Sequence, residues 1–111
     1  VKVVMDKHNN ALYFSREPIP SRKKNTFSTL MKKQVCIIPF TRDYLLEFNQ
    51  MDQTPLEKIE SVDMMRILEN GGNIRMCETN YKTKAVDTEK DLDIVREMMK
   101  KDSLYNCYKL N

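Results

Sequence analysis

Asp87, Arg16, Asp63 and Glu60 are the residues of this sequence whose types and settings suit chemistry. Asp87 stands in "KAVDTEKD" (84–91), where the apolar pair Ala85–Val86 runs into an acid and then a helix start. Two roles fit it. It caps the helix by accepting a first-turn N–H, or its carboxylate is a hard-oxygen ligand for Mg2+. That ion takes one or two protein carboxylates and leaves its other positions to water and phosphate. Ligands of open α/β sheets collect outside the carboxyl ends of strands, which is the expected place of Asp87. Arg16 follows the aromatic segment "LYFS" and precedes the rigid "EPIP". A guanidinium at a stiffened strand end suits a carboxylate or phosphate ligand, because its donors form a planar fork. A salt bridge to a nearby acid is the alternative. Glu57, Glu60 and Asp63 are spaced by three, which places them on one helix face. Glu57 is accounted for by a capping box with Thr54. Glu60 and Asp63 form either the wet side of a helix or the lining of a cleft.

Other chemistries find little support. His8, the one histidine, lies in the polar turn "DKHNN" and reads as a solvated turn residue. Local sequence suggests no Ser-His-Asp or Cys-His pair. The two glycines, Gly71 and Gly72, end a helix rather than open one, so they make no phosphate loop. Cys36, Cys77 and Cys107 are scattered without a C-x-x-C, which argues against a disulfide framework and a zinc site. Free thiols fit a reducing cytosol, so a cytoplasmic location is expected. Charged residues make up 32% of the 111 positions with both signs interspersed, and the net charge is +3. The clusters "SRKK" (21–24) and "MKKQ" (31–34) therefore read as solvated loop lysines, and no nucleic-acid partner is expected. No apolar run approaches the roughly 20 residues of a bilayer span, so no membrane partner is expected either. The sequence opens directly on the strand-like "VKVVMD" without Met or a signal peptide, and upstream sequence is expected.

The elements that must position these residues follow from periodicity. Val1, Val3 and Met5 predict a strand, "DKHNN" a turn, and "ALYFS" (11–15) a second strand paired as a hairpin. "EPIP" ends regular structure, and 21–32 is expected to be a loop. The apolar run "QVCIIPF" (34–40) predicts a strand buried on both faces and ending near Pro39. "RDYLLEF" (42–48) predicts a short helix. "TPLE" (54–57) starts another with Pro at its first position, and Leu56, Ile59, Val62, Met65 and Ile67–Leu68 give it an apolar face until "NGG" (70–72) ends it. "IRMCET" (74–79) predicts a strand. "DTEKDLDIVREMMKK" (87–101) predicts a helix with acids in its first turns and lysines in its last, and with Leu92, Val95 and Met98 or Met99 on its apolar face. The order β-β-loop-β-α-α-β-α favours an α/β sheet covered by helices, in one domain over 1–111.

Five stretches, "VKVVMD", "ALYFSREPIP", "TRDYLLEF", "TPLEKIESVDMMRILENG" and "AVDTEKDLDIVREMM", resemble in order and spacing the C-terminal part of the sugar-activating cytidylyltransferases. Within them the resemblance is to 3-deoxy-manno-octulosonate (KDO) cytidylyltransferase, the CMP-KDO synthetase, over about residues 1–101. It implies a fragment of a Rossmann-like nucleotide-diphospho-sugar transferase with a mixed sheet and flanking helices. It implies transfer of CMP from CTP to an acidic sugar with release of pyrophosphate, for lipopolysaccharide or capsule precursors, and Mg2+ as cofactor. On this resemblance Asp87 matches a metal-binding aspartate and Arg16 a sugar-pocket arginine suited to the substrate carboxylate. Asp63 falls at an acidic sugar-hydroxyl contact, and Gln34 at a substrate-binding position of the third strand. Residues 21–33 and their flanking strands match a homodimer contact. The N-terminal CTP-binding half of the family, with the partner aspartate for the metal, has no counterpart here, so the isolated fragment is expected to be inactive. The family's H-x-G-x-Y is replaced by Gln34, Cys36 and Ile38, and its Gln by Met64. Lost polar groups change what a site rejects, so another acidic or amino sugar, or a non-catalytic dimerising fragment, are the other readings.

Overall fold

A computed structural model describes residues 1–21, 23 and 31–108. Most of the expected loop and dimer-contact segment at 21–33 lies outside the described residues, as does the end of the 102–111 tail. The chain forms two compact units, Val1–Glu78 and Thr79–Asn111.

In the first unit, β1 (Lys2–Met5) and β2 (Ala11–Ser15) form the expected antiparallel hairpin, pairing Lys2 with Ser15, Val3 with Phe14 and Val4 with Tyr13. The turn is organised by Asp6. Its carboxylate accepts the N–H groups of His8 and Asn10, each at 2.8 Å, and the Asn10 amide at 3.0 Å. Asn9 takes the left-handed conformation (φ 63°) that Asn tolerates better than other L-residues. On the other side of β1 lies the two-residue β3 (Lys32–Lys33), so the described sheet is antiparallel with the order β2-β1-β3.

Two expected strands are not strands. Over 34–40 the chain turns tightly, with Ile37 N–H donating to Val35 O at 2.8 Å, and Ile37 is 82% exposed rather than buried. Such a three-residue turn uses a donor that a ladder would need, and Pro39 supplies none. Over 74–79 pairing is limited to one bridge, Arg75 with Asn10. The segment meets the hairpin turn there: Ala11 N–H donates to Ile74 O and Met76 N–H to Asn9 O. A turn curls away and cannot template a longer ladder.

Helix α1 (Arg42–Gln50) stands where "RDYLLEF" predicts it, and Phe40 before it stacks on Tyr44 and meets the Phe48 ring at a tilt. The helix expected from 54 to the glycines is broken in two, α2 (Pro55–Glu60) and α3 (Met64–Glu69). Ser61 between them is left-handed (φ 52°, ψ 49°). Asp63 then accepts the Met64 N–H at 3.0 Å, a side-chain bond that competes with continuing a helix. The break lets Val62, Met64, Met65 and Ile67 close over the hairpin, where they form the core with Val3, Ala11 and Phe14. Burying Phe14 entirely is worth about 2–3 kcal/mol. Met64, which takes the place of a polar pocket residue in the resemblance, is thus a core residue.

The first unit closes α3 with Gly71 (φ 75°) and Gly72, whose N–H groups donate to Leu68 O and Ile67 O at 3.0 and 2.8 Å. A Cβ on Gly72 would lie 2.7 Å from the Ile67 side chain and 3.0 Å from its carbonyl oxygen. Gly72→Ala is therefore expected to lower stability by about 1–3 kcal/mol, read as a lower urea midpoint at unchanged slope.

In the second unit, α4 (Glu89–Lys100) and the short α5 (Tyr105–Tyr108) follow an irregular stretch. Leu92 and Val95 of the expected apolar face are half-buried, whereas Met98 and Met99 are exposed.

Candidate functional site

Arg16 lies just beyond the end of β2, as its sequence setting suggests, and it is exposed. Among the described residues its guanidinium makes no salt bridge. Nε donates to the Glu60 carbonyl at 2.9 Å and Nη2 to the Ser61 carbonyl at 2.8 Å. These are end-of-helix carbonyls that α2 cannot satisfy itself. Nη1 has no hydrogen-bond partner among the described residues. Arg16 is thus clamped along one edge of its fork, and the other edge faces solvent.

Glu60 is not on a wet face. Its carboxylate accepts Tyr13 Oη–H and Ser15 Oγ–H at 3.0 Å and the Arg16 N–H at 3.0 Å. The Arg16 N–H is the main influence holding the Glu60 carboxyl below its usual range, with Ser15 and Tyr13 adding to it. Burial, then Glu60, push the Tyr13 phenol up. One signal for this cluster was legible. Tyr13, Ser15 and Arg16 form a row of donors at a strand end with no acceptor of their own, and polar groups so placed require one.

Asp63 is exposed two residues beyond Ser61, and its bond to Met64 N–H accounts for one oxygen. Arg16 and Asp63 are thereby brought to the same corner, since the Arg16 fork holds Ser61. Gln34 is buried, and its N–H donates to Val1 O at 3.0 Å. Its backbone follows β3 directly but lies outside the expected strand.

Glu57 and Arg66 form a largely buried ion pair in the first unit. Glu57 accepts the Thr54 N–H at 3.3 Å, as its capping role requires, but it is only 4% exposed and also binds Arg66 in a two-point fork. The distances are 2.6 Å (Nη2–Oε1) and 2.8 Å (Nε–Oε2). Arg66 Nη1 reaches the carbonyls of Met51 and Phe48 at 3.2 and 3.4 Å, and the guanidinium lies 4.5 Å from the Phe48 ring centroid. A spacing of nine does not join two residues on one helix face, so sequence periodicity could not pair them. The break at Ser61 does.

Asp87, in the second unit, does not cap α4. Thr88 does: its Oγ1 accepts the Asp91 N–H at 3.2 Å, and Asp91 returns a bond to the Thr88 N–H at 3.2 Å. Ala85–Val86 form no strand, so Asp87 is not at a strand's carboxyl end. Its carboxylate is exposed and has no hydrogen-bond or ion-pair partner among the described residues. The neighbouring Asp91 is committed to Lys84 Nζ (2.5 Å) and to Thr88. Lys84 and Thr88 together hold its carboxyl at about 2. Because the folded value lies below the unfolded one, this cap stabilises α4 above about pH 4. It is expected to be lost as pH falls through about 2, read as falling helix signal that a Thr88→Ala variant has already lost at pH 7.

The described residues hold no group of three or more His, Cys, Asp or Glu able to enclose a metal ion. An uncommitted carboxylate nevertheless fits Mg2+, which needs only one or two from protein. Among the described residues, no helix is long and apolar enough to cross a membrane.

A family model described as cytidylyltransferase matches residues 1–101. The chain belongs to the cytidylyltransferase family. Two relatives named 3-deoxy-manno-octulosonate cytidylyltransferase illustrate the similarity. One, from Anaeromyxobacter sp. (strain Fw109-5), is 43% identical over 89% of this chain and 41% of its own length. Another, from Fusobacterium nucleatum subsp. nucleatum, is 40% identical over 94% of this chain and 42% of its own length. A solved structure described as CMP:2-keto-3-deoxy-manno-octonic acid synthetase complexed with CTP superposes with a TM-score of 0.81 at 35% identity, covering 90% of this chain and 41% of that one. This cytidylyltransferase chain therefore has the expected α/β character, a small sheet with flanking helices, and spans about two fifths of the length of these relatives.

Proposed function

We propose that this chain is the C-terminal portion of a cytidylyltransferase that transfers CMP from CTP to an acidic sugar of the KDO type. Similarity to a KDO-activating enzyme solved with CTP carries the reading most directly. In the reaction, the anomeric hydroxyl of the sugar attacks the α-phosphorus of CTP. The bond from that phosphorus to the bridging oxygen breaks, and pyrophosphate leaves. In this reading the open Nη1 edge of Arg16 binds the sugar carboxylate, to which a planar fork is matched. Asp63 accepts from a sugar hydroxyl, and Gln34 lies along the sugar site. Asp87 holds Mg2+, which when bound supplies charge neutralisation to the phosphates. CTP binding falls to the part of the family fold beyond these 111 residues, and the assembly is a homodimer in the cytoplasm serving lipopolysaccharide or capsule precursors.

The exposed Cys36 and half-buried Ile38 favour a second reading within the same chemistry, in which the sugar differs from KDO and makes fewer polar contacts. Both readings are tested by pyrophosphate release from CTP and Mg2+ by the intact protein across a panel of acidic and amino sugars. KDO as the best substrate is the expected result. Release with another sugar selects the second reading, and no release with any of them rejects both.

A further inference from the structure

The use of Arg16 as a sugar-carboxylate ligand requires that its fork be held in one orientation. A free arginine side chain loses about 2 kcal/mol of rotamer freedom on binding, so a fork fixed beforehand binds more tightly. The means of fixing it are local. The Glu60 carboxylate gathers three donors from the end of β2, namely Tyr13 Oη, Ser15 Oγ and the Arg16 N–H. It thereby ties the backbone at Arg16 to the last residue of α2. The Arg16 side chain then folds back onto the carbonyls of Glu60 itself and of Ser61. Residues 60 and 61 thus clamp Arg16 from both ends, through the carboxylate at its backbone and through main-chain carbonyls at its fork. Lys2 Nζ adds a bond to Arg16 O at 3.1 Å. Ser61 presents its carbonyl to Arg16 from the left-handed conformation that breaks the helix.

We propose that Glu60 is a positioning residue for sugar binding. It acts through Arg16, holding the guanidinium with its Nε and Nη2 edge occupied and its Nη1 edge presented to the substrate carboxylate. The proposal rests on the reading of Arg16 given above. Glu60 itself has no role in the chemistry, because its oxygens are already taken by β2.

The test compares wild type, Glu60→Gln, Arg16→Ala and the double variant in the intact protein. Pyrophosphate release is measured with KDO and CTP, and hydrogen exchange of the Arg16 Nε–H is measured by NMR. Glu60→Gln keeps size and removes the charge that holds the three donors. The expected result is a rise of about tenfold in KM for KDO with KM for CTP unchanged within about twofold, faster Nε–H exchange, and no added penalty in the Arg16→Ala background. A penalty that adds fully to that of Arg16→Ala, an equal rise in both KM values, or an unaltered Nε–H exchange would overturn the proposal. Should wild type release no pyrophosphate at all, the functional reading fails. Nε–H exchange still decides whether Glu60 fixes Arg16.

Discussion

Arg66→Ala is expected to remove about 3–5 kcal/mol from the stability of the Val1–Glu78 unit, because it leaves the Glu57 carboxylate buried with its two-point partner gone. A domain of this size commonly holds about 5–10 kcal/mol in total, so the variant should keep about 0–7 kcal/mol and melt well below wild type. The loss is more than one ion pair. Arg66 also satisfies the carbonyls of Phe48 and Met51 and lies over the Phe48 ring, so it joins the end of α1 to both halves of the broken helix. Arg66→Lys keeps the charge but not the fork, and should fall between the two. Replacing both partners, Glu57→Leu with Arg66→Met, should recover much of the loss, since no buried charge is then left alone. Urea denaturation of wild type, the two Arg66 variants, the double variant and its singles Glu57→Leu and Arg66→Met checks this. Single and double variants that add independently would show that the two residues are not coupled. Arg66 is also what chiefly holds the Glu57 carboxyl below its usual range. The contribution of the pair is therefore fully present above about pH 4.5, the unfolded value, and fades as pH falls through the lowered folded value.

Asp87→Asn is expected to lower pyrophosphate release by the intact protein on the order of 100-fold, while leaving the helix signal of α4 unchanged. The rate effect is the kinetic equivalent of the several kcal/mol that a phosphate-bound metal supplies. The unchanged helix follows from the structure, in which Thr88 and Asp91 cap α4 and Asp87 takes no part. The two outcomes separate roles that local sequence leaves superimposed. A variant that loses helix but keeps its rate and its Mg2+ dependence would make Asp87 a structural residue and end its assignment to the metal. The converse variant, Thr88→Ala, should cost about 1 kcal/mol of helix stability with a smaller effect on rate.

Much of the framework was legible because it is local. The β1–β2 hairpin follows from alternation and an Asp/Asn-rich turn, and α1 and α4 follow from periodicity. The start of α2 follows from Thr54, Pro55 and Glu57 at fixed offsets. These rules operate within a few residues, and tertiary contacts had no reason to override them here. The two failed strands share one physical cause. Over 34–40 and 74–79 the residues have strand character, but a strand exists only where a partner offers a ladder. The first segment turns on itself at Val35–Ile37, and the second meets a hairpin turn.

The sequence by itself determined which residues were candidates. Arg16 at a strand end, Asp63 on a helix face and Asp87 before a helix are all read from type and position, and the family follows from motifs in order. Only the tertiary structure decided what those residues have left to offer. Arg16 spends one edge of its fork on α2 and keeps the other. Asp87 spends nothing on the cap and so has a whole carboxylate to give. Glu60, which periodicity would place in solvent, is held by β2, and Glu57 meets Arg66 across a break that periodicity smooths over. A side chain's type sets how many bonds it can make. How many remain for a ligand depends on neighbours distant in sequence, and these are brought close only when the left-handed turn at Ser61 folds α3 back over the hairpin.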